Sequence, residues 1–100
     1  VATPVVAPGA RSVWAQYTLR LSPERRDAIA ASLKRDGVPS AVYYPRPLHH
    51  QPAYADCPRS TDGLARSERM AASVLSLPMH PYLAPQDQDR IVASMLRALG

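Results

Sequence analysis

Val13-Trp14-Ala15-Gln16-Tyr17-Thr18-Leu19-Arg20-Leu21, followed directly by Ser22-Pro23-Glu24, is the stretch on which the fold turns. Val13, Ala15, Tyr17, Leu19 and Leu21 share one face, and Trp14, Gln16, Thr18 and Arg20 share the other. That period of two predicts a half-buried strand. The next residues predict an immediate helix. Ser22 suits the N-cap, Pro23 the first helical position, and Glu24 the positive end of the helix dipole. Ala28, Ile29 and Leu33 form the expected buried stripe. Gly37 can take the left-handed conformation that ends a helix, and Val38 can then fold back on Leu33.

Outward from this unit, Ser40 to Tyr44 is β-branched and aromatic enough for a second strand, which Pro45 and Pro47 stop. Residues 45–61 form a Pro-rich loop without periodicity that carries two of the three histidines. Asp62 is the expected cap of a second helix, with Leu64, Met70, Ala71 and Val74 turned inward. Leu75-Ser76-Leu77 reads as a short strand closed by Pro78, and Met79 to Leu83 as a turn. A last helix starts at Pro85, with Ile91, Val92, Met95, Leu96 and Leu99 spaced for one buried face. Ala84 is a poor cap for it. Strand, helix, strand, loop, helix, short strand, helix predicts a small two-layer α/β (α+β) sandwich, a few-stranded sheet with about three helices. Residues 1–12 read as a linker or the tail of a preceding element, and residues 13–100 as the domain itself.

Composition narrows the function. The chain has 100 residues, enough for one modest core. Its 11 prolines fit long irregular connections, and the absence of Phe leaves Leu, Val, Ile, Met and the one Trp and five Tyr to fill the interior. Net charge is +4, and Lys34 is the only lysine among the 12 basic residues. The arginines are scattered over several segments, which describes a solvated surface better than a nucleic-acid stripe. Cys57 is the only cysteine, so no internal disulfide argues for secretion. No apolar run approaches the roughly 20 residues of a membrane span. A chain that opens on Val1 and a Pro-rich stretch reads as the middle of a longer protein, and a cytoplasmic source is expected.

The densest polar group is Tyr43-Tyr44-Pro45-Arg46-Pro47-Leu48-His49-His50-Gln51. Its phenols, guanidinium, imidazoles and amide sit on a backbone stiffened by prolines, which suits an anionic, hydroxyl-rich ligand. Histidines that merely hydrogen-bond the domain's own backbone are the plainer alternative. His49, His50, Asp56, Cys57 and His80 offer metal-ligand atoms, yet no paired Cys or His spacing supports a metal site, and none is expected. Cys57 follows Asp56, whose carboxylate disfavours a reactive thiolate. Asp56 and Glu68 form no evident acid/base pair, and there is no Gly-rich phosphate loop. The residues alone define a small α/β domain with a His/Tyr/Arg loop and name no reaction.

A resemblance adds one. Ser12 to Thr18 with Arg25-Arg26-Asp27, Gly37 to Ser40 with Tyr44 to Tyr54, Ser67-Glu68-Arg69, and Val74 to Pro81 resemble, in order, four blocks of the DegT/StrS-type sugar aminotransferases. Together they cover about residues 11–99. The resemblance implies the small C-terminal domain of an enzyme that uses pyridoxal 5'-phosphate (PLP). Such enzymes move an amino group, usually from glutamate, to a keto sugar nucleotide. The branch most similar here acts on UDP-linked 3-keto N-acetyl uronic acid sugars for bacterial O-antigen and related lipopolysaccharide. The family's Schiff-base lysine lies in its large domain, and Lys34 does not match that motif. No catalytic residue and no bound cofactor are therefore expected in this stretch, which should be inactive alone. By the same resemblance His49, His50, Tyr44 and Arg46 are the expected substrate-binding residues, His49 foremost. The implied partners are a nucleotide sugar, an amino-acid donor and, at full length, a second copy, with no nucleic acid and no membrane. A free-standing anion- or RNA-binding module is the alternative function. Against RNA, adjacent Tyr43 and Tyr44 on a strand would point to opposite faces and make no stacking platform.

Overall fold

The computed structural model describes all residues, 1–100. Its strands are β1 (Tyr17–Arg20) and β2 (Val74–Leu77); its helices are α1 (Pro23–Arg35), α2 (Ala65–Ser73) and α3 (Pro85–Leu99). β1 and β2 pair antiparallel, with Leu19 opposite Leu75 and Thr18 opposite Ser76. The Thr18 and Ser76 hydroxyls bond at 2.8 Å across the ladder. Single bridges extend the sheet on both edges, Ala2 to Arg20 beside β1 and Ala41 to Ser76 beside β2. The helices pack on this sheet through one core of Leu19, Leu21, Ile29, Leu33, Val38, Leu75, Ile91 and Met95. The arrangement is the expected small α+β fold with three helices. No helix is long and apolar enough to cross a membrane.

Several local expectations change. The first strand opens at Tyr17 and not at Val13. Trp14 has φ of 48° and its ring packs 5.3 Å from Tyr17, so the chain bends before it can pair. Ser40 to Tyr44 contributes only the Ala41 bridge to the sheet, and the prolines at 39 and 45 on either side have no N–H to extend the ladder. Asp62 does not cap α2. Gly63, at φ of 71°, turns the chain first, and Leu64 takes the cap position. Ala71 and Val74 are buried as expected, but Met70 is exposed and Ser73 faces inward. Ala28 is exposed, with Ile29 and Leu33 carrying the α1 stripe. On α3 the buried face runs through Ile91, Ser94 and Met95, leaving Val92 54% and Leu96 63% exposed. A polar residue sits where apolar periodicity looks for none, because Ser94 has a partner.

That partner is the end of α1. The Val38 N–H bonds to Leu33 O at 2.9 Å and the Gly37 N–H to Lys34 O at 3.1 Å, a Schellman closure with Gly37 at φ of 71°. The closure presents Asp36 to α3. Its carboxylate accepts from Ser94 Oγ at 2.5 Å and from Arg97 at 2.8 Å, and its carbonyl accepts from Arg90 at 2.8 Å. The Ser94 hydroxyl first, and Arg97 second, hold the Asp36 carboxyl below the usual aspartate range.

Two outcomes follow from this corner. Gly37→Ala forces an alanine into the left-handed region and puts its Cβ 2.8 Å from the Arg90 Nη2 that serves Asp36. It is expected to cost about 1–2 kcal/mol in urea unfolding. Asp36 has a folded pKa below its unfolded value. Its contribution is whole above the ordinary aspartate pKa of about 3.9 and is lost as pH falls through the lowered folded value. Thermal stability should therefore drop in that acid window, and by less in Asp36→Asn than in the wild type.

Candidate functional site

The chain between the α1 corner and α2 has little regular structure, yet it is held. Two 3₁₀ turns, Leu48–His50 and Pro52–Tyr54, follow each other, and prolines at 47 and 52 start them. Arg59 Nη2 donates to His49 O and to Ala55 O, both at 3.0 Å, gathering the two turns from one side. From the other side comes α2. Glu68, in its first turn, accepts from His49 Nε2 at 2.9 Å, and the same oxygen lies 3.4 Å from His50 Nε2.

His49 is thereby buried, at 8% exposure, while His50 stays half exposed. The two rings lie 4.3 Å apart. Glu68 is held below the usual glutamate range, first by the hydrogen bond from His49, against some desolvation, with the charges of His50, His49 and Arg59 adding to it. The ligand-type atoms of His49, His50 and Glu68 all lie within 4.8 Å of one another. This cluster joins two of the histidines weighed as ligands from the sequence with a carboxylate that was not. Asp56, Cys57 and His80 are not part of it.

A groove of about 910 Å³ opens between this loop and α2. Tyr44, Arg46 and His49 line it together, as do Tyr43, Arg66 and Met70. His50 meets Glu68 but does not line the groove. Tyr44 is 73% exposed and Arg46 is exposed, so both are open to a ligand. Tyr43 packs edge-on against Tyr44, with ring centroids 5.8 Å apart, and the pair forms no parallel stacking platform. Sequence reading missed Glu68, Arg59 and Arg66 as parts of the site. The available signal for Glu68 was its position in the Ser67-Glu68-Arg69 block; Arg59 and Arg66 carried none.

Arginines, phenols and a fixed imidazole thus share one groove, among an otherwise largely apolar lining, on a small α+β domain. Comparison with known proteins names the class more closely. Residues 1–96 match the model of the DegT/DnrJ/EryC1/StrS aminotransferase family, and the chain belongs to that family. It is 47% identical over 83 residues to the UDP-2-acetamido-2-deoxy-3-oxo-D-glucuronate aminotransferase of Pseudomonas aeruginosa, a span of 83% of this chain and 22% of the relative. It is 37% identical over 92 residues to the dTDP-3-amino-3,4,6-trideoxy-alpha-D-glucose transaminase of Streptomyces venezuelae, covering 92% of this chain and 24% of that protein. The crystal structure of a DegT DnrJ EryC1 StrS aminotransferase from Brucella abortus superposes with a TM-score of 0.89 at 42% identity, over 95% of this chain and 25% of that one. The chain thus spans about a quarter of the length of these proteins.

The PLP that such a family implies needs a lysine amine for its covalent attachment. Lys34 is exposed in the last turn of α1 and does not line the groove. Lys34 therefore does not fit that role.

Arg59→Ala removes both donors that gather the loop. Amide exchange at Gln51, Tyr54 and Cys57, whose N–H groups close the turns, should rise several-fold, in line with about 1 kcal/mol per lost hydrogen bond. Exchange at Leu33 and Leu75 should stay unchanged; a uniform rise across the core would mean that Arg59 supports the whole fold.

Proposed function

We propose that this chain is the small C-terminal domain, residues 13–100 with 1–12 leading in, of a cytoplasmic PLP-dependent aminotransferase. The enzyme transfers an amino group from glutamate to a keto sugar nucleotide for bacterial surface polysaccharide, works as a homodimer, and is inactive when reduced to this stretch. The observation that carries the reading is the family match over residues 1–96, joined to an anion-suited groove on the same residues. The 47% identity to an aminotransferase of a UDP-linked 3-oxo sugar acid supports the sugar class.

Within that enzyme the residues here bind and orient. Arg46 and Arg66 can neutralise a carboxylate or phosphate in bidentate fashion. Tyr44 offers a phenol, and His49 and His50 offer imidazoles held against Glu68. The groove and its loop also exclude water from whatever they cover.

The test is enzymatic. The complete product of the encoding gene, given PLP, glutamate and UDP-linked 3-keto sugars, should form 2-oxoglutarate, and the 100-residue chain alone should form none. Tyr44→Phe and Arg46→Ala should each raise KM about tenfold with a smaller change in kcat. A complete product without transaminase activity toward any keto sugar nucleotide would overturn the reading.

A further inference from the structure

The Glu68–His49 contact has a chemical consequence for what the groove recognises. His49 Nε2 and Glu68 Oε1 are 2.9 Å apart, and the exposed His50 Nε2 approaches the same oxygen at 3.4 Å. A carboxylate only accepts, so neutral His49 must carry its proton on Nε2. Its Nδ1 is then a lone-pair acceptor. No group of the chain donates to that atom, and it is not sealed from solvent: Arg26 Nε is the only buried side-chain nitrogen or oxygen without a hydrogen-bond partner. His49 lines the groove, and Arg59 fixes its backbone carbonyl at 3.0 Å, so ring and main chain are both held.

We infer that Glu68 is a positioning residue of this groove: it locks His49 in the Nε2–H tautomer and so makes Nδ1 an acceptor for a ligand hydroxyl or N–H. The ligand's anionic parts then go to Arg46 and Arg66 on the same groove, and its hydroxyls to His49. This division reverses the simplest expectation for a histidine in a basic groove, that it donates to the acid group. It also assigns Glu68 a task that neither contact with ligand nor proton transfer would require. The inference rests on the sugar-nucleotide reading for the identity of the ligand, and on the geometry alone for the tautomer.

The tautomer is read directly on the 100-residue chain with ¹⁵N-labelled histidine, which gives three imidazole spin systems. Long-range proton–nitrogen spectra, followed upward in pH until the ring is neutral, should show His49 with a protonated Nε2 and an unprotonated Nδ1. Glu68→Ala should mix the tautomers, and Glu68→Gln, whose amide carbonyl still accepts, should restore the pattern. A wild-type His49 protonated on Nδ1, or one unmoved by Glu68→Ala, overturns the lock. Binding is then read on the complete gene product with UDP-N-acetylglucosamine as probe. Glu68→Ala should weaken it about tenfold and Glu68→Gln by less than about threefold. Equal affinity in Glu68→Ala and wild type overturns the acceptor role even where the lock holds. A wild type that ignores the probe sinks the sugar-nucleotide reading and the acceptor role together, and the spectra still decide the lock separately.

Discussion

The closure of α1 at Asp36-Gly37-Val38 is the constraint on which the other contacts depend. Gly37 adopts a left-handed turn that no Cβ-bearing residue takes without strain. The turn does three things at once. It sends Val38 back into the core beside Leu33, which is wholly buried. It presents the Asp36 carboxylate to Ser94 and Arg97, and the Asp36 carbonyl to Arg90. It also aims the chain at β2, so that Ala41 meets Ser76 with both backbone bonds made, at 3.0 and 2.7 Å. Move this corner and α3 loses its polar anchor, while the groove loop starts from the wrong place.

The groove depends on that corner from one end and on α2 from the other. Residues 41–64 contain only two 3₁₀ turns of regular structure, and a loop of that length orders only if side chains bind its backbone groups. Arg59 supplies the bonds within the loop, and the His49–Glu68 pair supplies the bond to the helix. Both are charge-assisted. The prolines reduce what must be ordered, since each has already lost its φ freedom. The loop is therefore stiff without being part of the core. Such a segment can line a binding face while leaving Tyr44 and Arg46 free.

Period-two and capping signals from Leu19 to Val38 were readable because they answer to local rules: pleat, N-terminal proline, terminal glycine. The same holds for Pro85 at the start of α3. What sequence pattern could not show were choices made by partners distant in the chain. Ser94 is buried because Asp36, 58 residues away, accepts from it, so the inner face of α3 keeps Ile91, Met95 and Leu99 but takes in Ser94 and leaves out Val92 and Leu96. Ser40 to Tyr44 has strand composition, yet pairing is limited to Ala41. At the site, His49, Tyr44 and Arg46 could be found from their loop and from the family blocks. Glu68 could not be tied to His49, because it lies 19 positions further on, past an aperiodic loop.

The distribution of arginine settles how the basic composition should be understood. Arg25 donates to the carbonyls of Ala98 and Leu99 at the end of α3, and Arg26 to those of Ala71 and Val74 at the end of α2. Arg90 and Arg59 likewise serve main-chain oxygens, and Arg97 serves Asp36. Cations at helix C-termini complement the dipole and satisfy carbonyls that the helix leaves open. Five arginines are thus committed to joining elements, which a lysine's single ammonium would do less well at two acceptors. The net charge of +4 is in large part structural, not a field laid out for a polyanion. Arg46 and Arg66 are different: both line the groove, and neither forms an ion pair or, unlike Arg59 beside them, a hydrogen bond to the chain's own carbonyls. Arg46 and Arg66 thus bring positive charge with no partner in the chain to the place where the loop and α2 converge. Two arginines on one groove suit a compact anionic group such as a carboxylate or phosphate.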